Sequence, residues 1–373
     1  MEIQYGRPFH GQALARLTSF LAAQGLSYAE DIEFTVNLLE GQRLIATGSL
    51  AGGVLKCLAV EKDRQGQGLM AVLVTELRRE AFALGREELL VFTKPANSLL
   101  FEYLGFSFIA ATADVCLLES QPRGIERFAE KIAREAAAKL DGGGSGGGGS
   151  GANLGPGGSC PGGPDGGTSA DGPSGDPGAA KPIGCVIANA DPFTKGHRHL
   201  VETAAGACRR LYLLILSEDR GLFSAADRLA LARANTADLA NVFVHPTGPY
   251  QVSQATFPEY FIRDKARLKE ISCRLDLTIF AQRLAPALGV TRRFVGEEPL
   301  SAVTREYNEQ MKAFLPGRGI AVTEVPRLQA AGGPISASRV RELWRAGRLE
   351  ALAPFVPEAT WLFLSRKAAE AAH

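Results

Sequence analysis

Two short segments carry residue types that can hold a polyphosphate. The first, Asn189-Ala190-Asp191-Pro192-Phe193-Thr194-Lys195-Gly196-His197, follows a β-rich run and leads straight into a helical pattern. Gly196 lets the backbone approach a ligand closely, and His197 stands at the positive end of the helix dipole with a ring able to donate to phosphate oxygens. The second, Ile335-Ser336-Ala337-Ser338-Arg339-Val340-Arg341, opens another helix. Ser336 can cap it, Ser338 offers a hydroxyl, and Arg341 lies three residues on, one turn along the same face. Each segment alone has a plainer reading, as a chance Gly-His helix start or a capped surface helix. Together, each at a strand-to-helix junction, they point to nucleotide binding, with His197, Lys195, Ser338 and Arg341 as donors suited to stabilising phosphoryl charge.

A third segment, Gln65-Gly66-Gln67-Gly68, delivers the chain into an amphipathic helix marked by Leu69, Val72, Leu73 and Leu77. Amides exposed at such a helix start favour pyrophosphate, while a turn needing two glycines has the same composition. Other candidates are open in the same way. Glu218 and Asp219 either hold Mg2+ through water or form a solvated turn. Glu297 and Glu298 either contact ribose or substrate or cap the following helix. Tyr260 and Phe261 either line an acyl pocket or belong to the core.

These residues need a frame. From Pro182 onward short β-rich runs alternate with helical patterns: Ile183 to Ala188, His197 to Arg209, Leu211 to Leu216, Ser224 to Leu239 and Val242 to His245. That order predicts a parallel sheet with helices on both faces, whose ligands sit beyond the carboxyl ends of the strands. Earlier in the chain, Leu44 to Ser49 and Val54 to Val60 read as a β-hairpin, Leu89 to Thr93 as a strand, and Asn97 to Phe106 as a short helix ending in a glycine turn. Ile125 to Leu140 reads as a helix with a solvated face, Glu130 and Glu135 being spaced for pairing with Arg134 and Lys139.

Between the halves, residues 141–181 are almost wholly Gly, Ser, Pro and Asp. Such a composition buries too little apolar surface to offset the entropy of ordering. A flexible linker is expected, its ends about 35 Å apart on average, tethering the flanking halves without fixing their geometry. The expected layout is residues 1–124 as a first domain, 125–140 as a helix, 141–181 as linker and 182–373 as a second domain.

With 373 residues and 46% hydrophobic content, the chain can bury two ordinary cores. Its 41 basic and 40 acidic residues create no field that would recruit nucleic acid or an anionic membrane. No signal segment or membrane-length apolar run stands out, so a cytoplasmic protein is expected. Six cysteines lie far apart, with no C-x-x-C pair, and read as reduced thiols; Cys185 in an apolar strand and Cys208 in a helix fit core packing.

The first half resembles the coenzyme-A-dependent acetyltransferase superfamily. There Q-x-x-G-x-G/A, here Gln65 to Met70, cradles pyrophosphate, and the L-G-F ending of the short helix recurs; Met70 replaces a small residue. The resemblance implies an active acetyltransferase, a binder of coenzyme-A-like groups through Gln65, Gly66 and Gly68, or a module that only docks the carrier. T-x-G-H and I-S-x-S-x-x-R resemble the signature pair of the nucleotidyltransferase superfamily, with Thr194 in place of the more usual histidine, expected to bond phosphate without adding charge.

Longer strings narrow the resemblance to the citrate lyase ligase family: Asn189 to Leu200, Ser217-Glu218-Asp219, Thr256 to Phe261, Gly296 to Pro299 with Val303-Thr304 and Tyr307-Asn308, and Pro334 to Leu343. The implied fold is α/β, an N-terminal acetyltransferase-like α+β domain and a C-terminal doubly wound parallel-sheet, Rossmann-like nucleotidyltransferase domain. The implied activity is acetylation of the thiol on the citrate lyase acyl carrier (gamma) subunit, by way of acetyl adenylate, with release of pyrophosphate and AMP. It implies ATP, Mg2+ and acetate as small-molecule partners, and the carrier's phosphoribosyl-dephospho-coenzyme-A group as acceptor. It also implies ATP binding by Asn189, Asp191, Thr194, Gly196, His197, Ser336, Ser338 and Arg341, with His197, Lys195 and Arg341 catalytic. Two rival readings are an adenylyltransferase acting on a phosphopantetheine-like or mononucleotide substrate, and a non-catalytic sensor of adenine nucleotide and coenzyme A derivatives.

Overall fold

The computed structural model describes residues 1–142, 180–219, 221–252, 257, 260–262, 264–330 and 333–371. The expected linker, apart from its ends, and Cys160 lie outside the described residues.

The first half is built from β1 (Glu2–Gly6), α1 (Gly11–Ala23), β2 (Phe34–Glu40), β3 (Arg43–Ala51), β4 (Val54–Val60), α2 (Leu69–Ala83), β5 (Leu90–Thr93), α3 (Ser98–Tyr103), β6 (Ser107–Ala111), β7 (Cys116–Glu119) and α4 (Gly124–Gly142). Its seven-stranded sheet has the order β1-β2-β3-β4-β5-β7-β6. The β3–β4 hairpin turns through Gly52 at φ +56°, a conformation that favours glycine. Cys57 takes φ +52° where the β3–β4 register shifts, a bulge that bends β4. Among the described residues the only parallel pairing in this sheet, β4 with β5, is correspondingly short, Val54 to Leu90 and Leu55 to Val91. Beyond it the two strands part, and the Gln65–Gly68 loop with the start of α2 faces the gap. Leu69, Leu73, Val74, Leu77 and Ala81 bury one side of α2 against the sheet, while Leu17 and Leu21 of α1 cover the other side near Cys57.

The second half runs β8 (Ile183–Ala188), α5 (Lys195–Ala207), β9 (Arg210–Ile215), α6 (Ala225–Ala234), β10 (Val242–Pro246), α7 (Lys265–Ile279), α8 (Ala285–Leu288), β11 (Arg292–Gly296), α9 (Ala302–Phe314), β12 (Ala321–Val325), α10 (Ala337–Arg345) and α11 (Glu358–Ala371). Its five strands are all parallel, in the order β10-β9-β8-β11-β12. Helices α5, α6, α10 and α11 bury apolar residues against one face, and α7, α8 and α9 against the other. The sheet is therefore doubly wound, with its switch point between β8 and β11.

Helix α4 has the expected solvated face, with Arg127, Glu130, Lys131, Arg134 and Glu135 exposed, but its other face is buried: Ile125, Ala129, Ile132 and Ala136 lie in one apolar cluster with Leu90, Phe92 and Leu117 of the first sheet and Cys185, Tyr212 and Phe243 of the second. Helices α4 and α7 thus lie between the two sheets, and the halves share a core rather than hanging on a tether. Polar contacts pin the same interface. Tyr250 Oη donates to Glu119 Oε2 over 2.8 Å, and Arg283 Nε donates to the Ile109 carbonyl over 2.7 Å. On the outer side of α4, Glu130 pairs with Arg123 at 3.3 Å and Glu135 lies 3.2 Å from His245 Nδ1.

Cys208 lies just past the end of α5 rather than within it. All five described cysteines are buried and unpaired, and burial pushes Cys185 and Cys273 up to about 12. That is the behaviour of packing residues, since a thiolate would lose its solvation there. Among the described residues no helix is long and apolar enough to cross a membrane.

Candidate functional site

At the carboxyl end of β8 the chain passes through Ala190 at φ +50° and a cis Asp191–Pro192 bond, then enters α5. Thr194 caps that helix. Its Oγ1 accepts the His197 backbone N–H at 3.3 Å, and the Thr194 backbone N–H donates to His197 Nδ1 at 3.0 Å. This is a capping box with histidine in the place usually taken by glutamate. Because Nδ1 accepts an N–H, the ring proton must sit on Nε2, which leaves one fixed donor. Burial, with the Arg327 guanidinium assisting, pulls His197 down to about 4, so the ring is neutral.

Helix α10 starts nearby. Ser336 Oγ accepts the Arg339 backbone N–H at 3.2 Å, which leaves the Ser338 hydroxyl at the helix mouth. The starts of α5 and α10 come together where Gly196 faces the Ile335 carbonyl; a Cβ at Gly196 would lie 3.6 Å from that oxygen. A cavity of about 610 Å³ opens between them, lined by Asn189, Thr194, Gly196, His197, Ser336 and Ser338 together with residues of β11 and α9. Two helix N-termini and a neutral imidazole N–H aimed at one space make an anion site of the kind that suits a triphosphate.

Thr194, expected as a phosphate ligand, lines the same cavity but is 2% exposed, and its hydroxyl is engaged with His197. Asp191 is buried, and its carboxylate accepts the Leu222 and Phe223 backbone N–H groups at 2.9 and 3.0 Å. It braces the loop after β9. Arg341 donates to the Asp191 carbonyl and, over 3.0 Å, to Ser338 Oγ. It lines an adjoining cavity of about 430 Å³ with Asn189, Glu218 and Arg345. Lys195 is not brought to either cavity; its Nζ donates to the Ala353 carbonyl over 2.8 Å.

Glu298 Oε1 accepts the Leu300 and Ser301 N–H groups ahead of α9, while its other oxygen pairs with Arg327 at 2.8 Å, so the capping alternative describes it. Glu297 accepts the Arg327 backbone N–H at 3.4 Å. Asp219 caps Ala225. Glu218 Oε1 is buried without a hydrogen-bond partner. Among the described residues no group of three His, Cys, Asp or Glu side chains could hold a metal ion.

Tyr260 and Phe261 leave the nucleotide cleft altogether. They close a cavity of about 610 Å³ in the first half, where β4 and β5 part, together with Gln65, Gly66, Gly68 and Lys94. Gly66 and Gly68 take φ +78° and +77°, so the loop amides turn toward the helix start as a glycine-specific cradle.

One residue of the site was not visible in the sequence. Arg228 of α6 is fully buried and donates to the Asn189 carbonyl and Oδ1 at 3.0 and 2.7 Å, to the Phe223 carbonyl at 3.2 Å and to the Glu218 carbonyl. It ties the loops after β8 and β9 into one rim. Nothing in its sequence surroundings separates it from a surface arginine.

The sequence profile of the citrate lyase ligase C-terminal domain family matches residues 183–364. A citrate (pro-3S)-lyase ligase of Klebsiella pneumoniae is 38% identical over 354 residues, covering 94% of this chain and 92% of that protein. Its counterpart in Escherichia coli K12 is 34% identical over 357 residues, covering 94% and 90%. Among solved structures, Escherichia coli ElaA covers 32% of this chain and 99% of its own, with 12% identity and a TM-score of 0.28.

Proposed function

The chain belongs to the citrate lyase ligase family, and from that premise we propose how its residues carry out the ATP-dependent acetylation of the citrate lyase acyl carrier thiol. The observation that carries the proposal is the convergence of the α5 and α10 N-termini on one cavity, with His197 Nε2 as a fixed neutral donor and Ser338 opposite. ATP lies there with its phosphates on the helix starts. A carboxylate oxygen of acetate attacks the α-phosphate; the new P–O bond forms as the bond to pyrophosphate breaks, and pyrophosphate leaves with the electron pair. The carrier thiol then attacks the acyl carbon of acetyl adenylate, giving a thioester, AMP and a proton released to solvent.

Positioning and charge stabilisation are the protein's main work in such a displacement. His197 and Ser338 bond the reacting phosphate, and Arg341, one turn along α10, supplies charge once its contacts with Asp191 and Ser338 yield to the nucleotide. Asn189 and Asp191 shape the rim. Mg2+ bound to the triphosphate would neutralise its charge. The described residues fit an ion carried by the phosphates better than a protein cage, and Glu218, with an unpartnered oxygen beside the cleft, is the side chain placed to reach it through water.

The first-half cleft receives the carrier's phosphoribosyl-dephospho-coenzyme-A group. Gly66 and Gly68 offer amides to its pyrophosphate, Gln65 and Lys94 border it, and Tyr260 with Phe261 links this cleft to the second half. The deciding experiment mixes purified protein, Mg-ATP and thiol-form carrier with or without acetate and weighs the products. AMP, pyrophosphate and acetyl-carrier that form only with acetate are expected. Turnover indifferent to acetate removes the reading, and a dinucleotide formed from phosphopantetheine replaces it with an adenylyltransferase.

A further inference from the structure

Arg293 is a buried cation that nothing above employs. It lies on β11 beside Cys185 of β8, is 2% exposed, and its Nε and Nη1 have no hydrogen-bond partner. Sealing guanidinium donors without partners is costly, and native interiors seldom tolerate it. The nearby carboxylate does not relieve them. Asp276 is committed to the Gln251 side chain, the Val252 backbone N–H and the Tyr307 hydroxyl. Burial opposes the charge on Arg293, but a guanidinium stays protonated there, with the Asp276 carboxylate nearby. Phe280 fixes it from one side, its ring centroid 4.4 Å from the guanidinium carbon. The result is a rigid positive charge, with Tyr307 as a hydrogen-bond neighbour.

Its position says what that buried charge is for. Arg293 lines the nucleotide cavity and also an adjoining cavity of about 280 Å³, and Asn189, Thr304 and Tyr307 are common to both walls. The smaller cavity is lined by the apolar Leu216, Val252 and Val303, by Ile187, which it shares with the nucleotide cavity, and by Lys269 and Glu306. Such a place suits an anion with a short aliphatic tail and does not suit a polyphosphate, for which the helix starts already provide.

We infer that Arg293 is the carboxylate receptor for the acid that is activated. It holds a small aliphatic monocarboxylate with its alkyl group toward Ile187 and Val252 and one oxygen facing the nucleotide's α-phosphate. The assignment rests on the ligase reading and adds the residue that selects the acid. The attacking carboxylate is already ionised, so this subsite requires a fixed cation and no general base.

The test uses the full chain, Mg-ATP and acetate-dependent exchange of labelled pyrophosphate into ATP, for the wild type, Arg293→Lys and Arg293→Met. The KM for acetate is expected to rise about tenfold in the lysine variant and about a hundredfold in the methionine variant, with the KM for ATP within about twofold. An unchanged acetate KM, or an ATP KM that rises in step with it, overturns the assignment. Should both variants unfold, methyl-labelled acetate bound to the intact wild type decides. Nuclear Overhauser contacts to the Ile187 and Val252 methyls are expected, and contacts only to other methyls overturn it. Wild-type protein without acetate-dependent exchange removes the ligase reading itself, whereas active wild type with normal acetate KM in both variants removes only the role of Arg293.

Discussion

Thr194 and His197 orient one another: the Thr194 backbone N–H donates to His197 Nδ1 over 3.0 Å, and the His197 backbone N–H returns to Thr194 Oγ1 over 3.3 Å. The cap that starts α5 is therefore the device that sets the imidazole tautomer. His197→Ala should lower acetate-dependent adenylate formation about a hundredfold or more while leaving the circular dichroism spectrum unchanged. Thr194→Ala should cost about 1 kcal/mol of stability as a lost cap and reduce kcat less than His197→Ala does, with Thr194→Ser restoring both. Pyrophosphate exchange and urea unfolding measure the two effects. A Thr194→Ala enzyme with wild-type kcat would separate the cap from the chemistry.

The low pKa of His197 gives a second expectation, whose sign follows from proton counting. In the unfolded chain this histidine takes up a proton near its ordinary pKa of about 6.5; in the folded protein it does so only near 4. Across that interval the unfolded state binds more protons, so stability falls as pH drops from about 6.5 toward 4 and is unaffected by this group above that range. In His197→Gln the acid-side decline should be shallower. Urea midpoints at pH 7 and pH 5 for both proteins supply the measurement, and parallel declines would show that the ring is not held neutral.

Arg228 provides a third. A fully buried guanidinium that donates to three carbonyls and the Asn189 side chain cannot be replaced by an apolar residue without orphaning those acceptors. Arg228→Met should destabilise the protein by about 3 kcal/mol. It should also raise the KM for ATP, because Asn189 and the Glu218 loop form the rim of the cleft. Arg228→Lys should recover little, since one ammonium cannot reach the same set of acceptors. A loss below about 1 kcal/mol would mean that the rim is held by other contacts.

What was legible in the sequence and what was not divide along physical lines. The strands and helices of both halves follow local apolar periodicity and glycine turns, so β3, β4, α2, β5, α3 and the alternation from β8 to β10 could be read from the chain. The helix starts that carry His197, Ser336 and Ser338 were legible as well, because such starts advertise themselves through Gly, Ser and Thr. Long-range partners leave no such local mark. Nothing around Arg228 or Arg293 indicates that these arginines are buried, and nothing around Lys195 indicates that its ammonium turns to Ala353. The solvated face of α4 was visible in its charges, but not the two sheets that cover its other face. Tyr260 and Phe261 could be read as core or as pocket, and they are both: Tyr260 packs with Leu17, Leu21 and Cys57 while the pair closes the first-half cleft.

That cleft supports the last prediction. Gly68 stands at φ +77° as the residue before α2, with open space where a Cβ would project. Valine there meets no neighbour, but the left-handed backbone disfavours a β-branched side chain by about 1 to 2 kcal/mol, so the loop will shift and its amides will turn away from the gap between β4 and β5. If the loop holds the carrier's prosthetic group, Gly68→Val should raise the KM for carrier about tenfold while leaving acetate-dependent pyrophosphate exchange, which needs no carrier, within about twofold of wild type. Lys94→Ala, which removes a charge from the same wall without touching the backbone, should move the carrier KM in the same direction by a smaller factor. Normal carrier kinetics in both variants would mean that the thiol arrives by another route, and a loss of pyrophosphate exchange would mean that the first half supports the nucleotide site through the shared core.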